Sequence, residues 1–150
     1  MSIQEKYKLV GSLNISGDKS ISHRSVILGA MSIGQTEIHN LLESKDIMST
    51  VNILRKLGVK IKKNNEVWVV NGVGTCGFKQ PKQKLNAGNS GTTSRLMFGA
   101  VATNPINTTF IGDKSLSSRP MSRVTNFLED IGIKINLTKN NYLPVSIQGT

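Results

Sequence analysis

Three polar segments of this sequence carry residues that could handle an anion. The first, Gly17-Asp-Lys-Ser-Ile-Ser-His-Arg24, sets Lys19 and Arg24 beside Ser20 and Ser22, just ahead of an apolar run. If that run is a helix, its first backbone N–H groups have no carbonyl partner and attract negative charge. The two hydroxyls add donors, Lys19 adds a point charge, and Arg24 adds a planar fork suited to carboxylate or phosphate. The spacing of glycine ahead of Lys19 is not that of a nucleoside-triphosphate phosphate loop. The second segment, Ala87-Gly-Asn-Ser-Gly-Thr-Thr-Ser-Arg95, has glycines at 88 and 91 that let backbone approach a ligand, and a hydroxyl run at another helix start. Asn89 can both donate and accept. The third, Gly112-Asp-Lys-Ser-Leu-Ser-Ser-Arg-Pro-Met121, is a polar loop carrying Lys114 and Arg119 ahead of Pro120.

Taken singly, each segment also reads as ordinary structure. Ser20 or Ser22 could cap a helix with Lys19 solvated, the second could be a glycine-rich turn with a Ser/Thr cap, and the third a basic surface loop. Together they say more, because loops that enter helices in a βα repeat gather at one end, where binding sites collect. Three such loops would suit a small molecule with several negative charges. Asp46 sits near a helix start and could cap it. His23 is expected to pack beside its helix rather than act as a base. Cys76, in a loop without a basic neighbour in sequence, is expected to be inert. Trp68 reads as core, and Met97, Phe98 and the stretch 26–28 read as buried helix faces.

The elements that must position these segments repeat. Residues 58–72 (GVKIKKNNEVWVVNG) and 132–149 (GIKINLTKNNYLPVSIQG) share a glycine, two β-rich stretches around Asn-Asn, and a closing glycine. Helical spacing precedes each, through Val51, Leu54 and Leu57 in one and Val124, Phe127, Leu128 and Ile131 in the other. Gly29 and Gly99 lie 70 positions apart, and Gly58 and Gly132 lie 74 apart. The chain therefore reads as two copies of a unit of strand, helix, strand, helix and hairpin. The first copy predicts helices over 22–32 and 46–57, a strand over 36–41, and a hairpin over 59–70 turning at Asn64-Asn65. The second predicts a helix over 92–102, a strand over 108–111, a helix over 120–131 with Pro120 in its first turn, and a hairpin over 133–147. Gly58 and Gly132 fit helix stops.

Composition limits the classes. The chain has 150 residues, with 19 Lys+Arg against 9 Asp+Glu, a formal net charge of +10 that attracts anionic partners. Aromatics are only 5%, which argues against a base-stacking nucleic-acid surface. The longest nearly apolar run, Val26 to Met31, is too short to span a bilayer, and Met1-Ser-Ile-Gln-Glu-Lys lacks the pattern of a secretory signal. One cysteine excludes a disulfide framework, and His23 and His39 do not form a metal cluster. The expected compartment is a reducing cytoplasm, with no membrane association and no metal.

The three segments, in this order, resemble the enolpyruvyl transferase family that makes 5-enolpyruvylshikimate 3-phosphate. The resemblance runs from about Leu9 to Gly149, over about the first third of the family's usual length. It implies an α/β fold of βαβαββ units, three to a lobe, in an inside-out α/β barrel, with about two units here. Residues 1–15 would be a strand segment pairing with the second lobe, and 16–150 a partial first lobe of units 16–75 and 76–150. The implied activity transfers the enolpyruvyl group of phosphoenolpyruvate to the 5-hydroxyl of shikimate 3-phosphate, by addition and then elimination of phosphate, in aromatic amino acid biosynthesis.

By the same resemblance, Lys19 matches a catalytic lysine touching both substrates, and Ser20 and Arg24 match contacts to the shikimate moiety. Asn89, Ser90, Gly91 and Thr92 match the loop against phosphoenolpyruvate, where Gly91 leaves room for that ligand and for glyphosate. Arg119 matches an arginine that grips phosphoenolpyruvate. Asp46 and Arg95 match supporting positions. No cofactor is implied. The partners are the two small substrates and no nucleic acid, and the full-length enzyme would be a monomer. The family's main acid–base carboxylate and lysine belong to the second lobe, so the 150 residues are expected to be a fragment, inactive alone. Ser16 stands where many relatives have proline, and Leu96 where some do. The sister family acting on UDP-N-acetylglucosamine fits less well. It has asparagine where this chain has Ser20, and a reactive cysteine in the loop matching 112–120. A nucleic-acid-binding module of related repeat architecture is the other alternative, suited by the charge but not by the aromatic content.

Overall fold

The structure is a computed structural model that describes residues 10–137 and 141–150. Two small sheets each carry helices in the order the duplication predicts. The first unit contains α1 (Lys19–Met31), β1 (Ile33–His39), α2 (Lys45–Lys56), β2 (Lys60–Asn64) and β3 (Val67–Val73). The second contains β4 (Leu85–Asn86), α3 (Gly91–Ala102), β5 (Asn107–Ile111), the single turn α4 (Lys114–Ser117), α5 (Ser122–Asp130), β6 (Lys134–Leu137) and β7 (Val145–Gln148). In sheet one the order is β1-β3-β2, all antiparallel, and in sheet two it is β4-β5-β7-β6, with β4 parallel to β5. The second hairpin strand thus inserts between its partner and the preceding strand in both units, and this shared topology is the structural form of the sequence repeat.

The helices meet the sheets on a common core. α1 packs on β1 and β3, α3 packs on β7, and α1, α2 and α3 pack on one another. Val26, Ile47, Val51, Leu54, Leu57, Val70, Leu85, Met97, Phe98 and Phe110 are wholly buried there. Trp68 is buried as expected and its Nε1–H donates to Glu43 Oε1 at 3.2 Å. The closing glycines of the repeat have a packing reason. A Cβ on Gly72 would stand 2.2 Å from the Ser32 carbonyl oxygen, and one on Gly149 would stand 2.0 Å from that of Asn104. Both sites press a strand against the backbone at the end of a helix. Gly58 and Gly132 are the expected helix stops, at φ +92° and +90°, with Gly58 N–H bonded to Arg55 O and Val59 N–H to Leu54 O.

Several expectations need correction. α1 begins three residues before the predicted start, because Asp18 caps it. β1 lies earlier than predicted and ends before Asn40, whose φ of 54° turns the chain. The first hairpin turns at Asn65-Glu66, since Asn64 still pairs with Val67. Pro120 lies outside α5: Met121 is buried and its N–H bonds to Asn141 O, so the helix starts at Ser122. Leu28, Phe127 and Ile131 face outward, although Val26, Ile27 and Leu128 beside them are buried. α4 was not predicted. In the proposed leading strand segment, residues 1–9 lie outside the described residues, and 10–15 are exposed with no strand. The predicted second hairpin turn at Asn140-Asn141 also involves a residue outside them. No helix among the described residues is long and apolar enough to cross a membrane.

Candidate functional site

The tetrapeptide Gly-Asp-Lys-Ser occurs at 17–20 and again at 112–115, and in both places its aspartate caps a helix. Asp18 Oδ1 accepts from Ile21 N–H at 2.7 Å, and Asp113 Oδ1 accepts from Leu116 N–H at 2.7 Å. The caps are these aspartates, not Ser20 or Ser22. Aspartate at N-cap with an apolar residue three positions on was the signal for it. Ser22 is buried instead, accepting at its hydroxyl from Leu42 N–H at 3.0 Å, which ties α1 to the loop entering α2. Ser20 and Arg24 remain exposed and, four residues apart on a helix, share a face.

Direct contacts bring the three segments to one end of the molecule. Lys19 Nζ forms an ion pair with Asp46 in the first turn of α2, which Ser44 rather than Asp46 caps. The Asp46 backbone carbonyl accepts from Thr93 Oγ1 of α3 at 3.1 Å. Asp113 N–H donates to Gly88 O at 2.9 Å, and Arg119 Nη2 donates to Asn89 Oδ1 at 2.7 Å and to Ser115 Oγ at 3.1 Å. Arg95 Nη2 donates to Pro120 O at 3.1 Å, so this arginine holds the loop that carries Arg119. A Cβ on Gly91 would stand 2.6 Å from Arg95 Nη1, which leaves that guanidinium its place only while residue 91 is glycine.

Within the second segment the roles divide by burial. Ser90 is buried, and its hydroxyl accepts from Thr93 N–H at 3.1 Å as the cap of α3. What Ser90 can offer a ligand is therefore backbone. Asn89 and Thr92 are exposed, and Gly91 exposes little. In the first turns of α1 and α3 the Ile21 and Thr93 amides are taken by the capping side chains of Asp18 and Ser90, and the amides ahead of them have no carbonyl within their helices to pair with. The arrangement is an open, cationic wall rather than a closed pocket. Of two cavities of about 500 Å³, one is lined by Ser49, Asn52, Asn86 and, from the second segment, Gly88 among others, and the other lies along β6 and β7.

His23 lies one turn behind Lys19 and is wholly buried, as expected, with Nδ1 2.8 Å from Thr50 Oγ1. Burial pushes its imidazole below the ordinary value of 6.5, against Asp46, which raises it, and with Lys19, which lowers it. Below 6.5 the unfolded chain takes up a proton that the folded chain resists. Stability from this group is thus complete above 6.5 and is lost as pH falls from there through the lowered folded value. Thermal unfolding between about pH 8 and about pH 5 is expected to show that loss, and a His23→Asn variant is expected to lack this part of it. An unchanged slope in the variant would assign the loss to other groups.

A family model described as EPSP synthase (3-phosphoshikimate 1-carboxyvinyltransferase) matches residues 3–150. The chain is similar to the 3-phosphoshikimate 1-carboxyvinyltransferase of Paracoccus denitrificans, 46% identical over 150 residues, covering 99% of this chain and 34% of the relative. It is 49% identical over 143 residues to that of a Bradyrhizobium strain, covering 94% of this chain and 32% of the relative. Among solved structures, an EPSP synthase from Acinetobacter baumannii superposes with a TM-score of 0.89 at 39% identity, covering 93% of this chain and 32% of that one. The chain spans about a third of the length of the curated relatives it matches.

Proposed function

This chain belongs to the EPSP synthase family, and from that premise we propose that its gathered helix starts form one wall of a site transferring the enolpyruvyl group of phosphoenolpyruvate to the 5-hydroxyl of shikimate 3-phosphate. The observation that carries this reading is the set of direct contacts that join Lys19 to Asp46, Asp46 to Thr93 in the first turn of α3, and Asn89, just ahead of α3, to Arg119. Both substrates are polyanions, and bringing them together needs fixed positive charge and oriented N–H groups. In the addition step the 5-hydroxyl oxygen bonds to C2 of phosphoenolpyruvate, the hydroxyl proton leaves, and C3 gains a proton. In the elimination step the bond from C2 to the phosphate oxygen breaks, C3 loses a proton, and phosphate departs.

In this reading Lys19 lies between the two substrates, with Asp46 fixing its ammonium. Ser20 and Arg24, on one exposed face of α1, take the shikimate moiety. Asn89, the Ser90–Gly91 backbone and Thr92 line the phosphoenolpyruvate side, and Arg119 grips that ligand with its guanidinium already oriented by Asn89 and Ser115. Arg95 supports the Arg119 loop through Pro120. The chain would work as the partial first lobe of a cytoplasmic enzyme, in two units of about 16–75 and 76–150. The wall supplies charge, and turnover also needs groups that give and take the C3 and hydroxyl protons.

Phosphate release by the native gene product tests the reading. Release is expected only with both substrates present. Release with phosphoenolpyruvate alone, or none with both, would sink it. An Arg119→Gln variant is expected to raise KM for phosphoenolpyruvate by about tenfold to a hundredfold, the worth of a charge-assisted hydrogen bond. Its KM for shikimate 3-phosphate is expected to stay near the parent value, and equal rises in both would place Arg119 elsewhere.

A further inference from the structure

Behind the exposed wall runs a line of buried polar side chains to which the roles above assign no substrate contact. His23 Nδ1 lies 2.8 Å from Thr50 Oγ1, Thr50 Oγ1 lies 2.9 Å from Thr93 Oγ1, and Thr93 Oγ1 reaches the Asp46 carbonyl at 3.1 Å and Ser90 Oγ at 2.8 Å. His23, Thr50 and Thr93 are wholly buried, and Ser90 is 1% exposed. The line crosses α1, α2 and α3, one turn along from Lys19 and Asp46, and its members Ser90 and Thr93 flank Gly91 and Thr92 in the chain.

The protons of this line can be placed by counting. Each hydroxyl has one hydrogen to give. His23 Nε2 has no hydrogen-bond partner among the described residues. A buried N–H without a partner is costlier and rarer than a buried lone pair without one. The hydrogen therefore sits on Nδ1 and is donated to Thr50. Thr50 then donates to Thr93, and the one hydrogen of the Thr93 hydroxyl is shared between the Asp46 carbonyl and Ser90 Oγ, both of which it reaches. From His23 to Thr93 each step uses one hydrogen and runs in one direction. Protonating the ring would add a buried N–H at Nε2 with no partner among the described residues, a cost of burial that opposes the pull of the Asp46 charge and favours the neutral ring.

We propose that His23 is a positioning residue for the anion-facing helix starts, acting through Thr50 and Thr93. Three of the four contacts join helices, His23–Thr50 between α1 and α2 and both Thr50–Thr93 and Thr93–Asp46 between α2 and α3, and they set the separation of α1, α2 and α3 near Lys19, Asp46 and the 90–92 turn. Apolar packing alone leaves helices free to slide by fractions of an ångström. A line of directed bonds does not, because a slide strands a buried hydroxyl. The proposal rests on the site reading above only in assigning the helix starts to substrate.

The test compares His23→Leu, which fills the space without the bond, Thr50→Val, which breaks the line at its middle, their double variant, and His23→Asn, whose side-chain amide can donate from near the place of Nδ1. Each is made in the native gene product, with KM for phosphoenolpyruvate, kcat and thermal midpoint measured together. His23→Leu and Thr50→Val are each expected to raise that KM by about tenfold, the double variant by no more than either alone, and His23→Asn to return within about threefold of the parent. Additive losses, an equal loss in His23→Asn, or lowered midpoints with an unchanged KM would overturn the proposal. If the parent shows no turnover and no phosphoenolpyruvate binding, the site reading fails and two other measurements decide the proposal. Imidazole nitrogen NMR is expected to show the hydrogen on Nδ1, and His23→Leu is expected to shift the amides of 90–92 across the helix boundary. A hydrogen on Nε2, or unmoved amides at 90–92, would overturn it.

Discussion

Replacing Lys19 with methionine is expected to lower kcat/KM for the proposed enolpyruvyl transfer by about a hundredfold to a thousandfold, as for removal of one preorganised charge at a reacting centre. Methionine keeps the aliphatic stem and removes only the ammonium. The side chain of Lys19 is 51% exposed and its ion pair with Asp46 is solvated, so the pair contributes at most about 1 kcal/mol to folding. Asp46 would be left alone, but it sits in the first turn of α2, where the helix N-terminus favours negative charge. A large loss of turnover with an unchanged thermal midpoint is thus the signature of a group that acts on substrate. Phosphate release across both substrate concentrations measures it. A fall smaller than about tenfold would remove Lys19 from the reacting centre.

Replacing Phe110 with alanine is expected to cost about 3–5 kcal/mol of folding stability, the range for emptying a buried aromatic site. Phe110 is wholly buried on β5, with its ring edge-on to Phe98 of α3 at a centroid distance of 4.9 Å. It pairs with Leu85 of β4 on one side and Val145 of β7 on the other, both wholly buried, so no neighbour can swing out to close the cavity cheaply. Urea unfolding reads the loss, and a cost below about 1 kcal/mol would mean the site collapses freely. The damage is expected to reach the wall as well. β5 delivers Gly112 and Asp113 to the Gly88 carbonyl, and Ala87 N–H is bonded to the Ile111 carbonyl at 2.9 Å, so loosening β5 loosens both loops that carry Asn89 and Arg119.

Much of the fold was legible because its signals are local. The repeated glycines mark two kinds of necessity that recur in each unit: a left-handed residue after a helix, and a strand pressed on helix backbone. Apolar spacing located the four long helices to within a few residues. Helix ends were less legible, since Ser20, Ser22 and Asp18 are all good caps by residue type, and only the path of the chain chooses among them. Pro120 shows the same limit. It suits a first helical turn, but the bond from Met121 N–H to Asn141 O, across 20 positions of sequence, holds the chain out of the helix. Phe127 and Ile131 fit the helical spacing but not the burial, because the width of an apolar face depends on what packs against it.

The sequence by itself determined the repeat, the element types and the three segments whose order carries the family resemblance. Each of these depends on residues near one another in the chain. The tertiary structure alone decided which polar groups face outward and which are spent inside. Ser20 and Ser22 are two residues apart and alike in chemistry, yet one is exposed and the other is tied to Leu42. His23 meets Thr50 across 27 positions, and Thr50 meets Thr93 across 43. No spacing rule anticipates such a line, because hydrogen bonds between helices depend on how those helices pack, and that packing is set by the whole core at once.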